Sequence, residues 1–192
     1  MNSEKRQTRT MKSLIRTRAD PGEEMLIEGY FAVFNNPTEL FPGAWEQIAP
    51  CAFDDTLTGD IRGLRNHDTS VVLGRTKAGT LELKVDEKGL YGTIKINPKD
   101  SEAVNLYERV KRGDVDQCSF GFYITDEEIE NRPDGTVLWT IKGVELLEVS
   151  VCTFPAYEDT GVSARSADLE NMQKRKLEAR KNKLKERLKK WH

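Results

Sequence analysis

The sequence predicts an α+β fold: a small, mostly antiparallel β-barrel flanked by helices, with a basic helix at the C-terminal end. Three observations predict it. Short period-two segments separated by turn residues fill the middle of the chain, one convincing helical stripe runs from Ser101 to Gly113, and composition turns polar and basic at both ends.

Residues 1 to about 22 read as a disordered basic arm ending at the turn signal Asp20-Pro21-Gly22. Met25 to Phe34 is rich in aromatic and β-branched residues and reads as a strand, broken at Asn35-Asn36-Pro37. A loop containing Pro, Gly and Trp follows, then a short helix-like stretch from Cys51 to Leu57. Ile61 to Asp68 is a strand running into a polar turn, and Val71 to Arg75 is another short strand. Leu81–Val85 and Leu90–Ile96 alternate in hydropathy around Asp86-Glu87-Lys88-Gly89, the pattern of a hairpin. In the helix, Val104, Leu106, Tyr107 and Val110 form one apolar stripe. Gln117–Thr125, Thr136–Ile141 and Val144–Thr153 are the remaining strands, with Arg132-Pro133-Asp134-Gly135 turning the chain between the first two. The organisation that results is an arm (1–22), a core (23–165) and a basic amphipathic tail (166–192).

Charge separates the tail from the rest. Asn171 to His192 holds ten Lys/Arg against two Glu, a net of +8, which leaves −10 on the remainder of a chain whose formal charge is −2. Cys51, Cys118 and Cys152 are scattered singly, which suits buried thiols in a reducing compartment rather than a disulfide framework. No apolar run approaches the roughly 20 residues of a membrane helix. No metal or cofactor motif is present, so none is expected.

Only two histidines exist, and His192 lies in the basic tail, so His67 is the one core imidazole available as a general base. Alone, a histidine in Asn66-His67-Asp68 is more often an ordinary turn residue. Ser119 lies between Cys118 and Phe120, whose side chains fall on the opposite sheet face, and it shares its own face with Gly121. That leaves space for an acyl group beside a hydroxyl that needs a base to become a nucleophile. A structural serine bonded to backbone is the bland alternative. Glu145 and Glu148 sit on opposite faces of the apolar run Val144–Cys152, where a carboxylate is costly unless paired. Such a carboxylate either orients an imidazole or forms a structural ion pair with an arginine such as Arg75 or Arg62. Together the three supply base, nucleophile and acid in the order His…Ser…Glu, enough for a candidate hydrolase.

The stretches Gly29–Asn35, Ile48–Phe53, Asn66-His67-Asp68, Val72–Thr76, Gly79–Leu81, Gly89-Leu90, Arg112–Val115, Cys118-Ser119-Phe120-Gly121-Phe122, Leu147-Glu148-Val149-Ser150 and Thr153–Tyr157 follow one another in register from Gly29 to about Arg165. In that order they resemble the prohead protease family of tailed phages. The resemblance implies a fold like that of herpesvirus assemblins and a serine endopeptidase packaged in the procapsid, within the host bacterial cytoplasm. There it would cut scaffold, or the scaffold-like segment of the major capsid protein, and then itself, and be lost from the mature virion. It implies His67, Ser119 and Glu148 as the triad. Assemblins use a second histidine as third member, and this core has none. Cys51 and Cys118 read as packing residues, and the turn Gly74-Arg75 is one guess for the oxyanion hole. Self-association stays open.

Two other classes compete. One is a catalytically silent scaffold or assembly factor on the same fold, against which the intact triad argues. The other is a nucleic-acid binder, motivated by the basic tail but poorly supported there, because stacking aromatics are nearly absent. No membrane partner is expected.

Overall fold

The computed structural model describes residues 6–12, 15–18 and 24–154, and in the tail residues 170, 174, 177, 178 and 181. The chain divides into two compact units, Met1–Glu158 and Asp159–His192. In the second unit, Glu170, Lys174, Leu177, Glu178 and Lys181 are helical and exposed. The other residues of the expected apolar tail face lie outside the described residues.

The first unit is mixed α+β, mostly strand. Its elements in chain order are β1 (Gln7–Lys12), β2 (Arg16–Arg18), β3 (Leu26–Val33), β4 (Thr38–Phe41), β5 (Ala44–Ile48), a 3-10 turn (Pro50–Phe53), β6 (Arg62–Arg65), β7 (Asp68–Arg75), a second 3-10 turn (Thr76–Ala78), β8 (Leu81–Val85), β9 (Gly89–Lys95), α1 (Ser101–Arg112), β10 (Gln117–Asn131) and β11 (Val137–Cys152). Among the described residues, one sheet has seven strands, in the order β1-β10-β11-β5-β4, with β6 pairing on β11 and β7 on β6. The other has four, β2-β3-β9-β8.

These sheets do not close into the expected barrel. Closure needs an end strand to pair back on the other end with a consistent stagger. Here β11 instead spends its second edge on two partners in turn, pairing in parallel with β5 along Val137–Ile141 and with β6 along Glu148–Val151. Apart from these two parallel pairings, the strand pairs among the described residues are antiparallel. The two sheets share one apolar core, to which Ile27, Phe31, Leu90 and Ile94 come from the small sheet and Phe120, Phe122, Val149 and Val151 from the large one. Phe120 stacks on Phe122 with ring centroids 4.7 Å apart and meets Phe53 edge-on at 5.7 Å. Full burial of each such ring stabilises the fold by about 1.5–3 kcal/mol.

The helix forms where the stripe predicts it. Asp100 caps it by accepting from Glu102 N at 3.0 Å and Ala103 N at 3.3 Å, and Gly113 ends it at φ 87°. Leu106, Tyr107 and Val110 are buried, as the stripe requires. The arm expected over residues 1–22 is different: it holds two strands, β1 on the edge of β10 and β2 on the edge of β3. Polar strands form there because each finds an unpaired sheet edge whose N–H and C=O groups need partners.

Candidate active site

β10 and β11 bring most of the site together by register alone. Gln117 faces Cys152, Ser119 faces Ser150, and Gly121 faces Glu148. Residues opposite one another in an antiparallel pair project on the same side, so Ser119, Gly121, Glu148, Ser150 and Cys152 line one face. Past Glu148 the register slips, so that Phe122 faces Leu146 and Leu147 is the extra residue of a β-bulge. Strict alternation would put Leu146 on the same face as Glu148. The bulge instead sends Leu146 to the apolar core and leaves Glu148 on the polar face.

His67 arrives from the other side of β11. Arg65 pairs with Asp68, so Asn66-His67 is a two-residue hairpin loop between β6 and β7. Both residues have positive φ, 50° at Asn66 and 62° at His67. That is the type I′ geometry, in which asparagine suits the first place and glycine the second. A histidine in the second place costs on the order of 1–2 kcal/mol. The loop is pinned to β11: Asn66 N donates to Val151 O at 3.0 Å, Thr153 N donates to Asn66 Oδ1 at 2.9 Å, and His67 N donates to Ser150 Oγ at 3.2 Å.

The imidazole then meets the carboxylate. His67 Nδ1 lies 2.6 Å from Glu148 Oε1. Ser150 Oγ donates to Glu148 Oε2 at 2.6 Å, and Arg6 Nη2 donates to Oε1 at 2.9 Å. Burial pushes the Glu148 carboxyl up, but the hydrogen bond and electrostatic attraction of His67, with the hydrogen bonds from Ser150 and Arg6, outweigh it and hold the group below its ordinary value. Glu148 is therefore an ionised, nearly buried acid on Nδ1, leaving Nε2 to act. The expected alternative partners are engaged elsewhere, since Arg62 and Arg75 both pair with Asp60.

Gly121 makes room for this acid rather than for substrate. A Cβ on Gly121 would overlap Glu148 Oε1 and come within 3.1 Å of Arg6 Nε. Ser119 is fully buried, and its hydroxyl donates to Arg9 O of β1 at 2.9 Å rather than to His67. The nearest sulfur to the imidazole is Cys152 Sγ, 3.9 Å from Nε2. Burial, reinforced by the charge of Glu148, pushes this thiol up to about 12, so it stays protonated and is a poor nucleophile.

Two sequence expectations are corrected here. Cys51 is not a packing residue: it is exposed, with its thiol 3.5 Å from Lys142 O, whereas Cys118 is buried in the core. Gly74-Arg75 is the end of β7 rather than a turn, and Arg75 N is not a free oxyanion donor, because it already donates to Thr80 Oγ1 at 2.9 Å. A side chain at Gly74 would meet Thr80 O at 2.6 Å, so the glycine serves close packing. Sequence reading missed Arg6 and Ser150 as partners of the acid. Ser150 was within reach, being two residues from Glu148 on a strand and hence on its face. Arg6 was not, since only the pairing of β1 brings it near. Among the described residues, no three His, Cys, Asp or Glu side chains gather to hold a metal ion, and no helix is long and apolar enough to cross a membrane.

A buried carboxylate on the imidazole of a strained turn, with a serine on the neighbouring strand of the same face, has the parts of a serine-nucleophile hydrolase. The chain belongs to the caudovirus prohead serine protease family, whose description matches residues 12–175. It is 33% identical over 147 residues to the prohead protease of Enterobacteria phage HK97, an alignment covering 74% of this chain and 61% of that relative's length. Among solved structures it is similar to the capsid assembly protease of bacteriophage T4, at 13% identity and a TM-score of 0.45, over 77% of this chain and 99% of the other.

Proposed function

We propose that this protein is the serine endopeptidase of capsid maturation, with Ser119 as nucleophile, His67 as general base and Glu148 as the acid that orients it. The observation that carries the reading is the 2.6 Å contact between His67 Nδ1 and Glu148 Oε1, beside Ser119 on the same face. Glu148 holds the proton on Nδ1 and stabilises the imidazolium formed when Nε2 takes the Ser119 proton. The serine oxygen attacks a peptide carbonyl, and the amine leaves with the proton returned by His67. Water then releases the acyl group by the same steps in reverse order. The oxyanion would be held by backbone N–H groups.

Family membership supports a role in capsid maturation, and the particular substrates are part of the proposal: scaffold, or the scaffold-like segment of the major capsid protein, and the chain itself. The protein would act inside the procapsid, in the host cytoplasm, on an assemblin-like fold. Mixing wild-type and Ser119→Ala protein with the capsid protein and scaffold of the same phage, then mapping new termini, tests this. New termini only with the wild type are expected. Identical cleavage by the two would remove Ser119 from the mechanism, and none by either would favour a silent assembly factor.

A further inference from the structure

Ser150 of β11 is a fully buried serine whose hydroxyl touches both the acid and the residue that carries the base. It lies opposite Ser119 in the β10/β11 register, and opposite Leu64 where β6 runs alongside β11. A buried hydroxyl needs protein partners, and this one has two. Its Oγ donates to Glu148 Oε2 at 2.6 Å and accepts from His67 N at 3.2 Å. The direction of both bonds is fixed. A backbone N–H only donates and an ionised carboxylate only accepts, so the hydroxyl proton points to Glu148.

Each bond restrains something the reaction depends on. The last torsion of a glutamate side chain is broad and two-fold, so a carboxylate held at one oxygen can rock. Glu148 is held at both, with Oε1 2.6 Å from His67 Nδ1 and Oε2 on Ser150. The second bond meets a strained backbone. His67 has φ 62°, which L side chains avoid, and its N–H is tied to Ser150 Oγ. One oxygen atom therefore joins the backbone that carries the imidazole to the carboxylate that orients it. The other loop bonds, Asn66 N to Val151 O at 3.0 Å and Thr153 N to Asn66 Oδ1 at 2.9 Å, hold the turn to β11 without touching the acid. Strand geometry makes the arrangement possible, since Ser150 is two residues from Glu148 and shares its face.

We propose that Ser150 is a positioning residue of the hydrolysis: its hydroxyl holds the Glu148 carboxylate against rotation and the His67 backbone against relaxation, so that acid and base stay aligned as one unit. It acts through Glu148 and His67 and not on the substrate. The inference rests on Ser119, His67 and Glu148 being the triad. It adds a fourth side chain on which the alignment of that triad depends.

The test reads two signals from the full chain. One is the rate at which a fluorophosphonate labels Ser119. The other is the far-downfield proton NMR resonance of an imidazole N–H shared with a carboxylate. Ser150→Ala is expected to fold, to lose that resonance and to label about a hundredfold more slowly than wild type, the scale of a group misplaced by about 1 Å. Ser150→Thr, which keeps the hydroxyl, is expected to keep the resonance and to recover at least about tenfold of the lost rate. Should Ser150→Ala fail to fold by thermal melting, Ser150→Cys, with its weakly donating thiol, serves instead and is expected to label more slowly than wild type with the resonance weakened. Slow labelling of a folded variant that keeps the resonance would show a packing role only and overturn the proposal. Labelling of Ser150→Ala, or of its Ser150→Cys substitute, at the wild-type rate, abolished by Ser119→Ala and by His67→Ala, would overturn the positioning role while sparing the triad. Labelling of the wild type that survives Ser119→Ala, or no labelling of the wild type, would overturn both.

Discussion

Gly121 and Glu148 face each other across β10 and β11, and the acid's carboxylate occupies the space a side chain on Gly121 would fill. The glycine is thus what lets a carboxylate lie flat against the sheet and reach His67. Gly121→Ala is expected to fold but to push Glu148 off the imidazole, lowering kcat by about 10²-fold, the scale of a misplaced catalytic group. A variant with wild-type kcat would mean that the carboxylate's position is not critical.

Glu148→Gln keeps the shape and removes the charge. It is expected to lose several orders of magnitude in kcat, yet to retain about a hundredfold more activity than Ser119→Ala or His67→Ala, because orientation contributes less than the nucleophile or base. The Ser119→Ala/His67→Ala double variant is expected to be hardly worse than either single one. Steady-state peptide hydrolysis ranks the four.

Acid stability follows from the same residue. Glu148 is held below its ordinary carboxyl value in the fold, so the unfolded chain binds its proton more readily. That contribution is complete above the unfolded value and is lost as pH falls through the folded one. Between about pH 6 and about pH 3, wild type is therefore expected to lose more stability in denaturant titrations than Glu148→Gln. Equal losses would show that the acid is not held down by its partners.

The three thiols differ in environment, and alkylation of the native protein is expected to show it. Cys51 is exposed and reacts first, while Cys118 and Cys152 are buried, Cys152 with its value pushed up to about 12. Cys152→Ala is expected to keep its activity, although the sulfur lies 3.9 Å from His67 Nε2. Inactivation that tracked alkylation of Cys152 would shift the chemistry to sulfur.

Asn66→Ala is expected to destabilise by about 1–3 kcal/mol, from a left-handed φ forced on alanine and a lost bond to Thr153 N. Activity is expected to fall as well, since that loop carries His67. Asn66→Gly, which accepts the dihedral, is expected to recover part of the stability, as thermal melts would show.

How much of this was legible in the sequence depended on how local each signal was. The helix was readable because Asp100, the apolar stripe and Gly113 all act within its own turns. His67 emerged by elimination; that a carboxylate in the strand Val144–Cys152 demands a partner was readable too, but only the family-like motif Leu147-Glu148-Val149-Ser150 favoured Glu148 over Glu145. β4 and β5 were hidden in what read as a loop, since strands of four and five residues have too little alternation to stand out. The bulge at Leu147, the two parallel pairings of β11 and the open sheets all depend on distant partners. β1 was least legible. Its polar residues carry no apolar pattern, and it is a strand because the edge of β10 needs a neighbour.

If Ser119 is the nucleophile, the site of covalent capture reveals it. The full chain is incubated with a fluorophosphonate until labelling is complete, digested, and mapped by mass spectrometry. One phosphonylated residue, Ser119, is expected, with no adduct in the His67→Ala protein over the same time. An adduct on Ser150, or one that forms equally in Ser119→Ala, would contradict it.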